Sequence, residues 1–177
     1  MTPSAATRAA PWIESIDDAV AEVFEMMLRQ PCIMVDEASP AGQSISPSIS
    51  AKIVFSGTLE GQCIVRLSTE AADRLTDALL GAEGDWDDSM IDDAVGEMCN
   101  MIAGGWKSKL EAHASACNLS VPAVSRSHAC ETPHPRTHET VPVAAPTARR
   151  FYAFDGSVLE VTLALAKQRS AFQRGIH

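Results

Sequence analysis

Two stretches of this chain carry a two-residue apolar period beside a connection too short for anything except a hairpin. In ISAKIVFSGTLEGQCIVRLS, residues 49–68, Ile49, Ala51, Ile53 and Phe55 share one side. Beyond a glycine-flanked turn, Cys63, Val65 and Leu67 do the same. In RRFYAFDGSVLEVTLALA, residues 149–166, Asp155 and Gly156 form a strong hairpin dipeptide, and Leu159, Val161, Leu163 and Leu165 alternate along the second strand. Strands joined by two to five residues run antiparallel, because a parallel neighbour needs a crossover of a dozen residues or more.

The remaining strong periods are helical. Residues 12–29, WIESIDDAVAEVFEMMLR, put Ile13, Ile16, Val20, Val23, Phe24, Met27 and Leu28 on one side, opposite Asp18, Glu22 and Glu25, and end near Pro31. Ser68 caps a second helix, TEAADRLTDALLG, with Glu70 in its first turn, Leu75 and Leu79 inward and Gly81 as its stop. A polar turn, AEGDWDD, leads into DDAVGEMCNMIAGGWKSKL, residues 92–110. Cys32 to Val35 is a short apolar segment, and LSVPAVS, residues 119–125, reads as a strand. Three helices with hairpins between and after them predict an α+β fold, an antiparallel β-sheet with long helices packed on one face.

The expected organisation is a loose N-terminal tail over 1–11, a single domain over 12–166 and a C-terminal tail over 167–177. Inside the domain, Glu37 to Ser48 is a long loop, and the proline-rich stretch 128–148 reads as a partly disordered surface insertion. A net charge of −9 leaves no excess of Lys and Arg to neutralise phosphates or to hold an anionic membrane, so neither nucleic acid nor membrane is an expected partner. With no twenty-residue apolar run and no signal-like N-terminus, the expected compartment is the cytoplasm. The five cysteines form no CxxC pair, which suits buried thiols in a reducing compartment.

The third helix breaks the composition rules of the other two. Ile91, Val95, Met98, Ile102, Trp106 and Leu110 fall in one sector about 120° wide, which must face the core. Asp93, Glu97, Asn100, Gly104, Lys107 and Glu111 fall on the far side. Asn100 costs roughly half a kcal/mol relative to alanine, and Gly96, Gly104 and Gly105 about 1 kcal/mol each. Two readings account for this penalty. Either the glycines admit a close neighbour while Glu97 and Asn100 are merely solvated, or the carboxylate and carboxamide, three residues apart and therefore adjacent, act together on a partner.

DDAVGEMCNMIAGGWKSKL resembles the signature helix of the CheC/CheX/FliY family of chemotaxis phosphatases, in its CheX-like branch, through Asp93, Gly96, Glu97, Asn100 and Gly104. AKIVFSGTLEGQCIVRLSTEAADRLTDALLG is similar to the family's hairpin-then-helix segment, and the first helix and final hairpin also fit. The resemblance implies hydrolysis of the aspartyl phosphate of a CheY-like receiver domain. Glu97 would pair with the receiver's lysine, and Asn100 would place the attacking water. Asp93, Gly104 and Lys107, on the same stripe, are the further partner-binding candidates, with a solvated lysine at 107 and an aspartate at 93 that only favours the helix's N-terminal half as the alternatives. Magnesium would belong to the receiver, so no cofactor or metal is expected in this chain. The first helix offers Glu22 and Glu25 without an asparagine, which implies one site per chain. The branch forms homodimers through its sheets, and Val158 to Ala166 is either a pairing edge or a central strand.

Three other readings compete. His128, Cys130, Glu131, His134 and His138 are ligand-capable but match no strong zinc spacing. A receiver-binding or dimerisation module without catalysis is the non-enzymatic alternative. Cys99, between Glu97 and Asn100, could sense oxidation, but its place on the core side of the wheel favours a buried structural thiol.

Overall fold

The computed structural model describes residues 11–36, 48–110, 117–127 and 147–165. Residues 1–10 and 167–177 of the expected tails, 37–47 of the loop, 128–146 of the proline-rich stretch and the group His128, Cys130, Glu131, His134 and His138 lie outside them, whereas Pro11 belongs to a helix and Ser48, Thr147 and Ala148 to strands.

The described residues begin with helix α1, Pro11–Val23, which widens into a π-helical turn, Phe24–Leu28. Arg29 ends it in the left-handed region at φ 52°, two residues before Pro31. Ile16, Val20, Val23, Phe24 and Leu28 are buried as the spacing predicts, but Met27 is 55% exposed. A π turn holds more residues than an α turn, so the apolar stripe loses its phase over this stretch.

Among the described residues seven strands form one antiparallel sheet: β1 Ile33–Val35, β2 Ser48–Gly57, β3 Gly61–Ser68, β4 Cys117–Leu119, β5 Ala123–Ser127, β6 Thr147–Phe154 and β7 Ser157–Leu165. Their order is β1-β6-β7-β3-β2, with β4 and β5 both paired to the outer edge of β2. Both predicted hairpins form. The β2–β3 turn has a glycine at each end, and a Cβ at Gly61 would overlap the Ala164 carbonyl oxygen. Asp155 and Gly156 take φ 42° and 69°, the double positive φ of a two-residue hairpin.

One strand reading needs correction, and one open alternative is decided. LSVPAVS is two short strands interrupted at Ser120 to Pro122, because proline has no N–H to give to the ladder. Across the break the Ser120 amide donates to the Val54 carbonyl, and the Val54 amide donates to Ser120 Oγ. Of the two readings open for Val158 to Ala166, the central strand holds over the described residues, since β7, ending at Leu165, lies between β6 and β3. Val158 to Val161 are buried whichever way they point, as a central strand requires.

Helix α2, Thr69–Leu80, begins at Ser68, whose Oγ accepts from the Ala71 amide, and stops at Gly81 with φ 69°. Helix α3, Asp88–Lys109, packs against α1 and α2 and lies over β2 and β3. The core fills the space between helices and sheet, with Trp106 of α3 on Phe55 of β2 and Phe24 on Phe154 of β6 at centroid distances of 5.2 and 5.1 Å. Tyr152 of β6 ties α1 to the sheet by donating to Asp17 Oδ1 at 2.6 Å.

Candidate functional site

Helix α3 starts where Asp87 accepts the Ser89 and Met90 amides and the Ser89 hydroxyl, all on Oδ1. The Ser89 hydroxyl, followed by the Met90 amide, holds the Asp87 carboxyl below its ordinary range. The first two turns are bolted to the sheet by Arg126 of β5. Its Nη1 donates to Asp88 Oδ1 at 2.7 Å, its Nη2 to the Asp88 carbonyl at 2.8 Å and its Nε to Asp92 Oδ1 at 2.9 Å.

Val95, Met98, Cys99, Ile102, Ala103 and Trp106 are wholly buried, which fixes the rotation of the helix about its axis. Cys99 Sγ lies 3.5 Å from the Ala51 carbonyl and 3.8 Å from that of Cys63, so it is a packed thiol under the sheet. The Cys63 thiol is pushed up by its contact with Cys99 and by burial, which disfavours a reactive thiolate there.

With that face locked inward, Asp93, Glu97 and Asn100 are exposed, and Gly104 and Lys107 are half-buried. The five share one stripe. Glu97 and Asn100 are one turn apart, about 4.5 Å along the axis, with Asp93 about 6 Å before Glu97 and Lys107 about 10 Å beyond Asn100. Glu97 and Asn100 can therefore meet one small group, whereas Asp93 and Lys107, each about 10 Å from Asn100, can only touch a larger partner.

The charges of α3 divide cleanly in two. Asp88 and Asp92 are paired with Arg126, and Lys109 with Glu22 at 2.7 Å. The Glu22 contact also raises the Lys109 ammonium above its ordinary value. Among the described residues, by contrast, Asp93, Glu97, Asn100 and Lys107 have no side-chain hydrogen bond or ion pair. An unpaired carboxylate beside an unpaired carboxamide, displayed from a rigid helix, can bind a cationic side chain and orient a water together.

The glycines do not behave as the close-neighbour reading expects. A Cβ on Gly96 would lie 3.5 Å from Pro122 and Val124, and one on Gly105 would lie 3.7 Å from Ala19. Both are ordinary contacts that an alanine would satisfy. A Cβ on Gly104 would meet nothing within 4 Å, so the fold itself gives no reason for glycine one turn past Asn100.

The sequence reading missed Arg126, Asp88, Asp92 and Pro122. The four-residue spacing of Asp88 and Asp92 was a visible signal for one shared cationic partner, but nothing local names a residue on a strand 34 positions away. Among the described residues no group of three or more His, Cys, Asp or Glu is placed to hold a metal ion, and no helix is long and apolar enough to cross a membrane.

The fold has close counterparts. The CheX chemotaxis protein of Vibrio vulnificus superposes with TM-score 0.67 at 15% identity, over 88% of this chain and 97% of that one. That of Desulfovibrio desulfuricans gives 0.67 at 19% identity, over 88% and 99%. The Borrelia burgdorferi CheX, solved with CheY, beryllium trifluoride and magnesium, gives 0.63 at 22% identity, over 88% and 98%. No curated protein matches the sequence. The family model for the chemotaxis phosphatase CheX matches residues 49–144, a span that holds the first hairpin, α2 and all of α3. Because that match takes in more than half of the 177 residues, this chain belongs to the CheX family of chemotaxis phosphatases.

Proposed function

We propose that this protein hydrolyses the aspartyl phosphate of a CheY-like response-regulator receiver domain. The observation that carries the reading is the joint display of Glu97 and Asn100, both exposed and both without a partner among the described residues, on a helix whose opposite face is wholly buried. Family membership and a fold shared with a CheX solved together with CheY support it.

Glu97 makes a charge-assisted contact to the receiver's lysine and sets the angle at which α3 meets the active face. Asn100 then accepts a hydrogen bond from a water beside the phosphoryl group and aligns it for in-line attack. No strong base is needed, because phosphoryl transfer passes through a loose transition state and is accelerated mainly by position and electrostatics. The magnesium ion is the receiver's own, and this chain adds no cofactor. Asp93 extends the acidic end of the stripe, Gly104 leaves room for the receiver's backbone, and Lys107 meets an acidic group farther along it.

In this reading the protein works in the cytoplasm as a homodimer. Among the described residues β1 is the sheet edge, and Ile33 and Met34 there are 66% and 58% exposed, which supports pairing between two copies. Sedimentation with Met34→Lys, against the wild type, checks that arrangement.

The functional test follows phosphate release from a phosphorylated receiver on adding the wild type, Glu97→Ala or Asn100→Ala. Glu97→Ala weakens both binding and turnover; Asn100→Ala removes turnover and leaves most of the binding. A wild type that binds the receiver and accelerates nothing is a non-catalytic receiver-binding module instead.

A further inference from the structure

We infer that Arg126 is a positioning residue for this hydrolysis, holding α3 at the rotation that delivers Asn100. The inference rests on the proposed function. Asp88, Asp92, Gly96 and Asn100 are four residues apart in succession and form one ridge along α3. Contacts along that ridge pass from bonded to packed to open. Arg126 holds Asp88 and Asp92, Pro122 and Val124 lie over Gly96, and Asn100 is exposed.

The strand that carries Arg126 is itself fixed. β5 pairs with β2 from Ala123 to Ser127, and two serine pairs, Ser48 with Ser127 at 2.7 Å and Ser50 with Ser125 at 3.0 Å, brace it on the opposite face. The Arg126 guanidinium therefore links a rigid sheet to the first two turns of the helix. Apolar anchorage thins toward that end, where Ile91 and Ala94 keep 7% and 9% exposure while Met98, Ile102 and Trp106 keep none. A side-chain group sits about 6 Å from a helix axis, so a rotation of about 10° moves it by about 1 Å. A 1 Å misplacement of a catalytic group costs about 100-fold in rate.

The experiment measures kcat and KM for phosphate release from a phosphorylated receiver with the wild type, Arg126→Met, Arg126→Lys and Arg74→Met. Arg74→Met is the control for plain destabilisation, since it removes bonds to Glu70 and the Asp155 carbonyl without touching α3. Arg126→Met is expected to lower kcat by about 10-fold with a smaller change in KM, part of the way to the cost of a full 1 Å error. Lysine, which can reach one of the two aspartates, recovers part of that loss, and Arg74→Met keeps the wild-type kcat. The inference is overturned if Arg126→Met keeps the wild-type kcat, or if Arg74→Met loses as much. A wild type that releases no phosphate removes the functional reading, and the inference with it.

Discussion

Glu97 and Asn100 stand exposed one turn apart on α3, while Met98 and Cys99 between them are wholly buried. Their display follows from the anchorage of their neighbours. Each α3 charge flanking the stripe is engaged by the chain itself, through Arg126 or Glu22, whereas the pair has no partner among the described residues. Stability alone would favour a better helix former than asparagine at position 100.

Gly104 separates the demands of folding from those of docking. A Cβ there meets nothing within 4 Å, so Gly104→Ala should raise stability by about 1 kcal/mol through helix propensity alone. Gly104→Leu should leave the fold intact and raise KM for the phosphorylated receiver by obstructing the surface beside Asn100. Urea denaturation and steady-state phosphate release measure the two effects. Unchanged KM in the leucine variant rules out a docking role for this position.

Asp87 links the start of α3 to pH. Its carboxyl lies below the ordinary value of 3.8, chiefly through the Ser89 hydroxyl and then the Met90 amide. A depressed carboxylate adds stability above its unfolded value and loses it as pH falls through the folded one. Asparagine caps a helix as well as aspartate but does not titrate. Asp87→Asn should therefore keep most of the stability at pH 7 and show a shallower loss below about pH 4. Denaturant midpoints across pH 2.5–7 test this, and equal slopes in the two proteins refute it.

Tyr152 is buried at 2% exposure and donates to Asp17 at 2.6 Å, which ties α1 to β6. Tyr152→Phe should cost about 2 kcal/mol, the range for a hydrogen bond to a charged group. Burial, and then the Asp17 carboxylate, push the phenol well above its ordinary value. The wild type therefore has stability that is full below the unfolded tyrosine value and falls as pH rises past about 10. The phenylalanine variant lacks that alkaline limb, which unfolding curves at pH 8 and pH 11 would reveal.

The parts of the fold written locally were legible in the sequence. The Asp155–Gly156 dipeptide and the Ser68 and Gly81 caps each act through neighbours a few residues away, and all form as expected. The α3 stripe was legible because helical spacing alone puts Glu97 and Asn100 opposite Met98, Ile102 and Trp106. Distant pairings were not. β1 pairs with β6 across more than a hundred residues, β7 takes a central place, and Arg126 reaches back to Asp88 and Asp92. Met27 failed for a local reason, since its exposure follows from one widened turn that leaves no mark in the apolar period.

The most direct test compares the wild type with Asn100→Ala at saturating phosphorylated receiver, reading phosphate release and receiver affinity in the same samples. Loss of about 100-fold in turnover, with affinity kept within a few-fold, is the expected result for a residue that places the water. Turnover in Asn100→Ala equal to the wild type would contradict it.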